Sequence, residues 1–133
     1  MTYAERVNDE DANIKRIYVA GPMQGAPEHG FPEFEIACAF LRSVGSMRGG
    51  YTWHVFSPHE VDNHETPETR GKTKDHWEYM RADMQLLVIC DAICLLDGWS
   101  KSRGAVQELN CAIAMGLEIW RFIGSDTRFF KIS

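Results

Sequence analysis

The chain has 133 residues, 44% hydrophobic and 25% charged, which suits one domain around a single core and suggests neither disorder nor a membrane class. No apolar run approaches a membrane span and the acidic, polar start is unlike a signal peptide, so a cytoplasmic protein is expected. A net charge of −5 argues against a duplex-DNA partner, while Arg70, Lys72, Lys74, Arg81, Lys101 and Arg103 gather in or near loops that suit a small anionic ligand.

Residues 1–13 read as an acidic arm ahead of a domain over 14–124, with 125–133 as a tail carrying Phe129 and Phe130. Lys15 to Ala20 has the β-branched and aromatic character of a first strand. It runs into Gly21-Pro22-Met23-Gln24-Gly25, a turn whose glycines would let backbone approach a ligand. This is neither a Rossmann GxGxxG nor a Walker loop, and alone it is a weak signal. Pro32 opens a helix with Phe34, Ala37, Cys38, Leu41 and Val44 on one face and Gly45 as its stop. Ile36 and Phe40 form a further apolar pair. Trp53 to Ser57 is a second strand, ended by Pro58.

From His59 to Lys74 the sequence is polar and without period, consistent with a lid, a binding loop or local disorder. Asp75 suits the cap of the next helix, with Trp77, Met80, Met84 and Leu87 as its buried stripe. Asp83 lies at the edge of that stripe, where solvation looks poor. The cysteines Cys38, Cys90, Cys94 and Cys111 contain no Cys-x-x-Cys pair and sit in apolar contexts, as buried free thiols do. His59, His64 and His76 fit no standard zinc spacing. Neither a metal nor a cofactor is expected.

The stretch from Cys90 to Trp120 reads as strand, turn, helix and strand: Ala92 to Leu96, a polar turn to Ser102, a helix from Arg103 to about Gly116, then Glu118 to Ile123. Ser102 is a good N-cap and Gly116 a good stop. The apolar stripe Val106, Leu109, Ile113 and Leu117 should face the sheet. Glu108 would then point away, beside Ala105, Cys111, Ala112 and Met115. It is either an ordinary solvated glutamate or a carboxylate held for a purpose, since an apolar surround is costly for an unpaired charge. The alternation of strands and helices implies an α/β domain. Its sheet of four or five mostly parallel strands carries helices on both faces, in a flavodoxin-like or Rossmann-like layering.

Four segments in this order, IYVAGPMQG, RADMQLL, CDAICLLDGWSKSRGA and QELNCAIAMG, resemble the nucleoside 2-deoxyribosyltransferase superfamily. That superfamily also contains the 2'-deoxynucleoside 5'-monophosphate N-glycosidases and a phage-associated branch of unknown role, which the chain resembles in particular. The resemblance spans roughly 16–123 and implies that Glu108 is the nucleophile and Asp83 the group that holds the sugar. It places base and sugar against Gly21, Pro22, Met23, Gln24 and Gly25. Ser102 stands six residues before Glu108, where the transferases carry a carboxylate near the base and the monophosphate N-glycosidases a phosphate-binding serine. Trp99, Arg103 and Gly104 join it as binding residues. Asn110 replaces the glycine that usually follows the Glu-Leu pair, and Gln24 stands where the monophosphate hydrolases have arginine.

Breaking an N-glycosidic bond builds positive charge on the anomeric carbon. An ionised carboxylate can stabilise that charge and then trap it as a glycosyl-enzyme. The expected partner is a nucleoside 5'-monophosphate or nucleoside, cleaved or transferred in the cytoplasm (the host's, if the chain is phage-encoded). A homodimer or higher homo-oligomer is expected, with apolar surface from Ala105, Ala112, Met115, Ile36 and Phe40. The residues leave open a non-catalytic nucleotide-binding or sensing module, or a phage protein that meets a host factor.

Overall fold

Alternation along the first strand divides the molecule into two layers. The computed structural model describes residues 14–43, 52–61, 67–68 and 75–133. In β1 (Ile14–Ala20), Ile17 and Val19 project to one core and Tyr18 and Ala20 to another, as the two-residue period of a strand requires. β3 (Ala92–Leu95) repeats this: Ala92 and Cys94 face the first core, Ile93 and Leu95 the second. A strand buried on both faces needs no polar alternation, which is why residues 17–20 of β1 and the whole of β3 read as continuous apolar runs.

β2 (Thr52–Phe56) and β4 (Glu118–Ile123) complete the parallel part of the sheet, with order β2-β1-β3-β4-β5. Register runs Ile14 opposite Thr52, Ile17 opposite Ala92, and Ala92 opposite Glu118. β5 (Arg128–Lys131) lies antiparallel on β4, with Phe122 opposite Phe129. The segment expected as a tail carrying two aromatics therefore forms the last strand of the sheet. Phe129 is buried, stacks on Trp120 with ring centroids 4.6 Å apart and meets Trp53 edge-on. Lys15 of β1 pairs with Glu118 of β4, and Lys131 of β5 approaches the same carboxylate. Burial raises the pKa of Glu118, but the bonds from Lys15 and Trp120 and the charges of Lys15 and Lys131 outweigh it and hold it below the usual range.

Helix α1 (Phe31–Arg42) covers the first core with Phe34, Ala37, Cys38 and Leu41. Ile36, paired with Phe40 in the sequence reading, is 60% exposed, whereas Phe40 packs on Phe122 and Phe129. Val44, Gly45, His64, the arm over 1–13 and most of the polar segment after His59 lie outside the described residues. Within that segment, Pro58–Val61 forms one helical turn, α2.

Helices α3 (His76–Leu87) and α4 (Arg103–Ala114) cover the second core. Asp75 caps α3 as expected, its Oδ1 accepting from Glu78 N at 2.9 Å. The buried face of α3 differs from the expected one. Trp77 is 55% exposed and Asp83 takes its place among the buried residues. On α4 Leu109 and Leu117 pack on the second core as expected, but the centre of the buried face is displaced. Ala105, Glu108 and Ala112 are the buried residues, while Ile113 is 56% exposed. At 100° per residue this turns the helix about a quarter turn from the expected stripe. The two alanines let the helix lie close on the sheet, and Glu108 is tolerated there because it has a partner. Ala105 and Ala112 are thereby spent on the core and offer no surface to a second subunit.

Among the described residues, no helix is long and apolar enough to cross a membrane.

Candidate active site

In this strand order the chain leaves β1 toward β2 on one side, while β3 lies on the other. The carboxyl ends of β1 and β3 therefore open a crevice, the position where doubly wound sheets collect ligands. The ends come close. A β-carbon on Gly21, directly after β1, would stand 2.9 Å from Leu96 Cβ, so this glycine is required by strand-end packing. The sequence reading had assigned that freedom to ligand approach. After β3, Asp97 accepts from Arg121 Nη2 at 2.8 Å and from Gly124 N at 3.1 Å, which pins the turn that leads to α4.

Above the crevice lies a cavity of about 400 Å³, within the range of small-molecule sites. Its walls come from the loop after β1 (Gly21, Met23, Gln24, His29), from Pro58 after β2, and from α3 (His76, Tyr79, Met80, Asp83, with Asp75 ahead of it). The remaining wall is Lys101 and Ser102 with Arg103, Gly104, Ala105 and Glu108 at the start of α4. Gly21, Met23, Gln24, Asp83, Ser102, Arg103, Gly104 and Glu108 are thus brought together as the sequence suggested. Pro22, Gly25 and Trp99 do not line the cavity. Pro22 sits beneath the loop, its carbonyl against Gly30, and Trp99 packs into the second core.

Glu108 is 4% exposed and Asp83 6%. Glu108 Oε2 accepts a hydrogen bond from Tyr18 Oη. Tyr18 is fully buried on the face of β1 that looks toward α4. Sequence reasoning missed this tyrosine because one aromatic in a β-branched strand reads as core. A bond to a carboxylate is worth about 1.5–3 kcal/mol and helps to fix the orientation of the group.

Ser102 performs the expected capping, its Oγ accepting from Ala105 N at 3.3 Å. The hydroxyl proton remains for a ligand, since a serine has one donor and two acceptor sites. The first turn of α4 adds unpaired amides and the positive end of the helix dipole. His76 Nε2 lies 3.2 Å from Gln107 Oε1, and the Arg103 guanidinium sits over the Trp77 ring at 4.9 Å. These two contacts hold the start of α3 against α4.

Cys38, His59 and Glu60 lie close enough to share an ion, but their chemistry is committed elsewhere. Arg42 grips Glu60 with two bonds of 2.9 and 2.7 Å, holding its carboxyl below the usual range, and would repel a cation. Burial pushes the Cys38 thiol up to about 11, against the thiolate a metal needs. Ser57 Oγ and His59 Nδ1 are 2.6 Å apart, and the His59 ring packs on Phe31 and Phe34. Cys94 is likewise pushed up by burial.

A family model described as "Domain of unknown function (DUF4406)" matches residues 15–121. No curated protein matches the chain. Solved structures share its fold. One is a 2-desoxiribosyltransferase from Leishmania mexicana, 21% identical, over 82% of this chain and 64% of that one, with a TM-score of 0.52. Another is a 2-deoxyribosyltransferase from the psychrotolerant bacterium Bacillus psychrosaccharolyticus, 22% identical, over 81% and 72% of the two chains, with a TM-score of 0.57. The chain spans 64% of the length of the Leishmania mexicana structure.

Proposed function

The chain belongs to the family described as a domain of unknown function (DUF4406), a description that assigns no chemistry, and from its site we propose that it cleaves or transfers the N-glycosidic bond of a nucleoside 5'-monophosphate. One observation carries this reading: a buried glutamate, held by a buried tyrosine, faces a cavity that also contains a buried aspartate. A carboxylate costs too much to bury for packing alone. Here it stands where a sugar can reach it. Two solved proteins of this fold are 2-deoxyribosyltransferases by name, and that supports a nucleoside-type substrate.

In the proposed reaction Glu108 attacks the anomeric carbon as the base departs, giving a glycosyl-enzyme that water or a second base resolves. Asp83 holds the sugar hydroxyls. The phosphate lies at Ser102 and the first amides of α4, with Lys101 and Arg103 at the same end. A homodimer belongs to the reading, now resting on the exposed Ile36, Ile113 and Met115.

The test is base release from a panel of nucleosides and their 5'-monophosphates. Glu108→Gln keeps a carbonyl to accept from Tyr18, so the variant should fold and should lose several orders of magnitude in rate. Half of wild-type turnover in that variant would remove Glu108 from the mechanism. Ligand binding without turnover in the wild type would favour a sensing module instead.

A further inference from the structure

Departure of a base leaves an electron pair on a ring nitrogen, and an unprotonated purine or pyrimidine is a poor leaving group. The proposed function therefore needs a proton donor at the base end of the cavity. The wall of the cavity is of two kinds. Lys101, Arg103 and the first turn of α4 suit the phosphate; the loops after β1 and β2 contribute Met23, Gln24, Pro58 and His29. With the phosphate at the basic part of the wall, the base would lie against the loop residues, among them His29.

We propose that His29 protonates the departing base. The proposal rests on the N-glycosidase reading and adds a catalytic residue to it. Of the other titratable groups of the cavity, Asp75 caps α3, His76 is tied to Gln107, Glu108 is held by Tyr18, Tyr79 and Asp83 have partners of their own, and Lys101 is assigned to the phosphate. The His29 side chain, half-buried, makes no hydrogen bond or ion pair among the described residues. Its backbone is strained to present it. Glu28 and His29 both take left-handed conformations, at φ 50° and 52°, uncommon for residues with a β-carbon. Gly30 locks the arrangement, since a β-carbon there would stand 2.1 Å from Pro22 O. Strain of this kind persists where the surroundings impose it, often at functional sites.

The proton inventory closes. Glu108 forms a bond to the anomeric carbon as the carbon–nitrogen bond breaks. The electron pair goes to the base, and the imidazolium of His29 delivers its proton to that base. Water then attacks the anomeric carbon, the ester to Glu108 breaks, and neutral His29 takes the water proton. Histidine is the side chain suited to both directions near neutral pH.

The experiment compares leaving groups in wild type and His29→Asn, asparagine being tolerant of the left-handed backbone. Adenine and hypoxanthine 5'-nucleotides need a proton to depart. The N7-methylguanine nucleotide is already cationic and leaves as a neutral base. We expect His29→Asn to lose about a hundredfold or more in kcat/KM, which covers the steps up to base release and not the later hydrolysis, on the first pair and to retain most of the wild-type kcat/KM on the methylated substrate, which also reports an intact fold. Equal losses on both would make His29 a binding or structural residue and overturn the proposal, as would no loss on either. If the wild type releases base from none of these nucleotides, the glycosidase reading fails first and takes this proposal with it.

Discussion

At the scale of single residues the informative pair is Tyr18 and Glu108. Glu108 is legible from sequence because its helical neighbours are apolar, and a carboxylate among alanines and a cysteine asks for an explanation. Tyr18 is not legible. Its direction follows from strand alternation, but which helix lies on that face depends on strand order, and strand order is a long-range property. The pair predicts a split outcome for Tyr18→Phe. Losing the donor leaves a buried carboxylate short of one bond, a cost of about 1–3 kcal/mol, read as a lower midpoint in chemical denaturation. Base release should fall in kcat more than in KM, because the bond orients the nucleophile rather than the substrate. Wild-type stability and turnover together in this variant would mean that the contact carries neither role.

At the scale of elements, α3 and α4 show where period analysis stops. It located both helices and their caps correctly. It found the face of α4 only in part: Leu109 and Leu117 do pack on the second core, but size-weighted hydrophobicity favours Ile113 over Ala105 and Ala112, while close packing against the sheet favours small residues. On α3 it kept Trp77 for the core, although the Arg103 guanidinium stacks over the ring outside it. Gly104 tests the function assigned to the start of α4. An added β-carbon would meet Met80 Sδ at 3.6 Å, an ordinary contact, and alanine is the better helix former by about 0.8–1 kcal/mol. Gly104→Ala should therefore match or exceed wild-type thermal stability. If phosphate oxygens approach this turn closely, the same variant should raise KM for the 5'-monophosphate severalfold and leave the unphosphorylated nucleoside unaffected. Ser102→Ala should show the same selectivity with some loss of stability, since it also removes a cap worth about 1 kcal/mol. Equal effects on both substrates would remove the phosphate from this end of the cavity.

At the scale of the whole molecule, the sheet separates what holds the fold from what performs the proposed chemistry. The α/β class and the parallel core are legible because residues 17–20 of β1 and the whole of β3 are short apolar runs between helical periods. The final strand is not, since Arg128–Lys131 is short, half-charged and follows a turn, with only Phe129 buried. That one ring joins Trp120 and Trp53 at the edge of the first core, whereas the cavity is built on β1, β2, β3, α3 and α4. Phe129→Ala should thus act on stability alone. Truncating a buried phenylalanine costs about 3–5 kcal/mol, and at a few degrees per kcal/mol the thermal midpoint should fall by roughly 10 °C or more. Because no residue of β5 lines the cavity, turnover per folded molecule at low temperature should match the wild type. A midpoint shift of only a degree or two would show that β5 rests on the sheet without sharing its core. A folded variant that had lost activity would show that the aromatic edge and the crevice between β1 and β3 are coupled through the sheet.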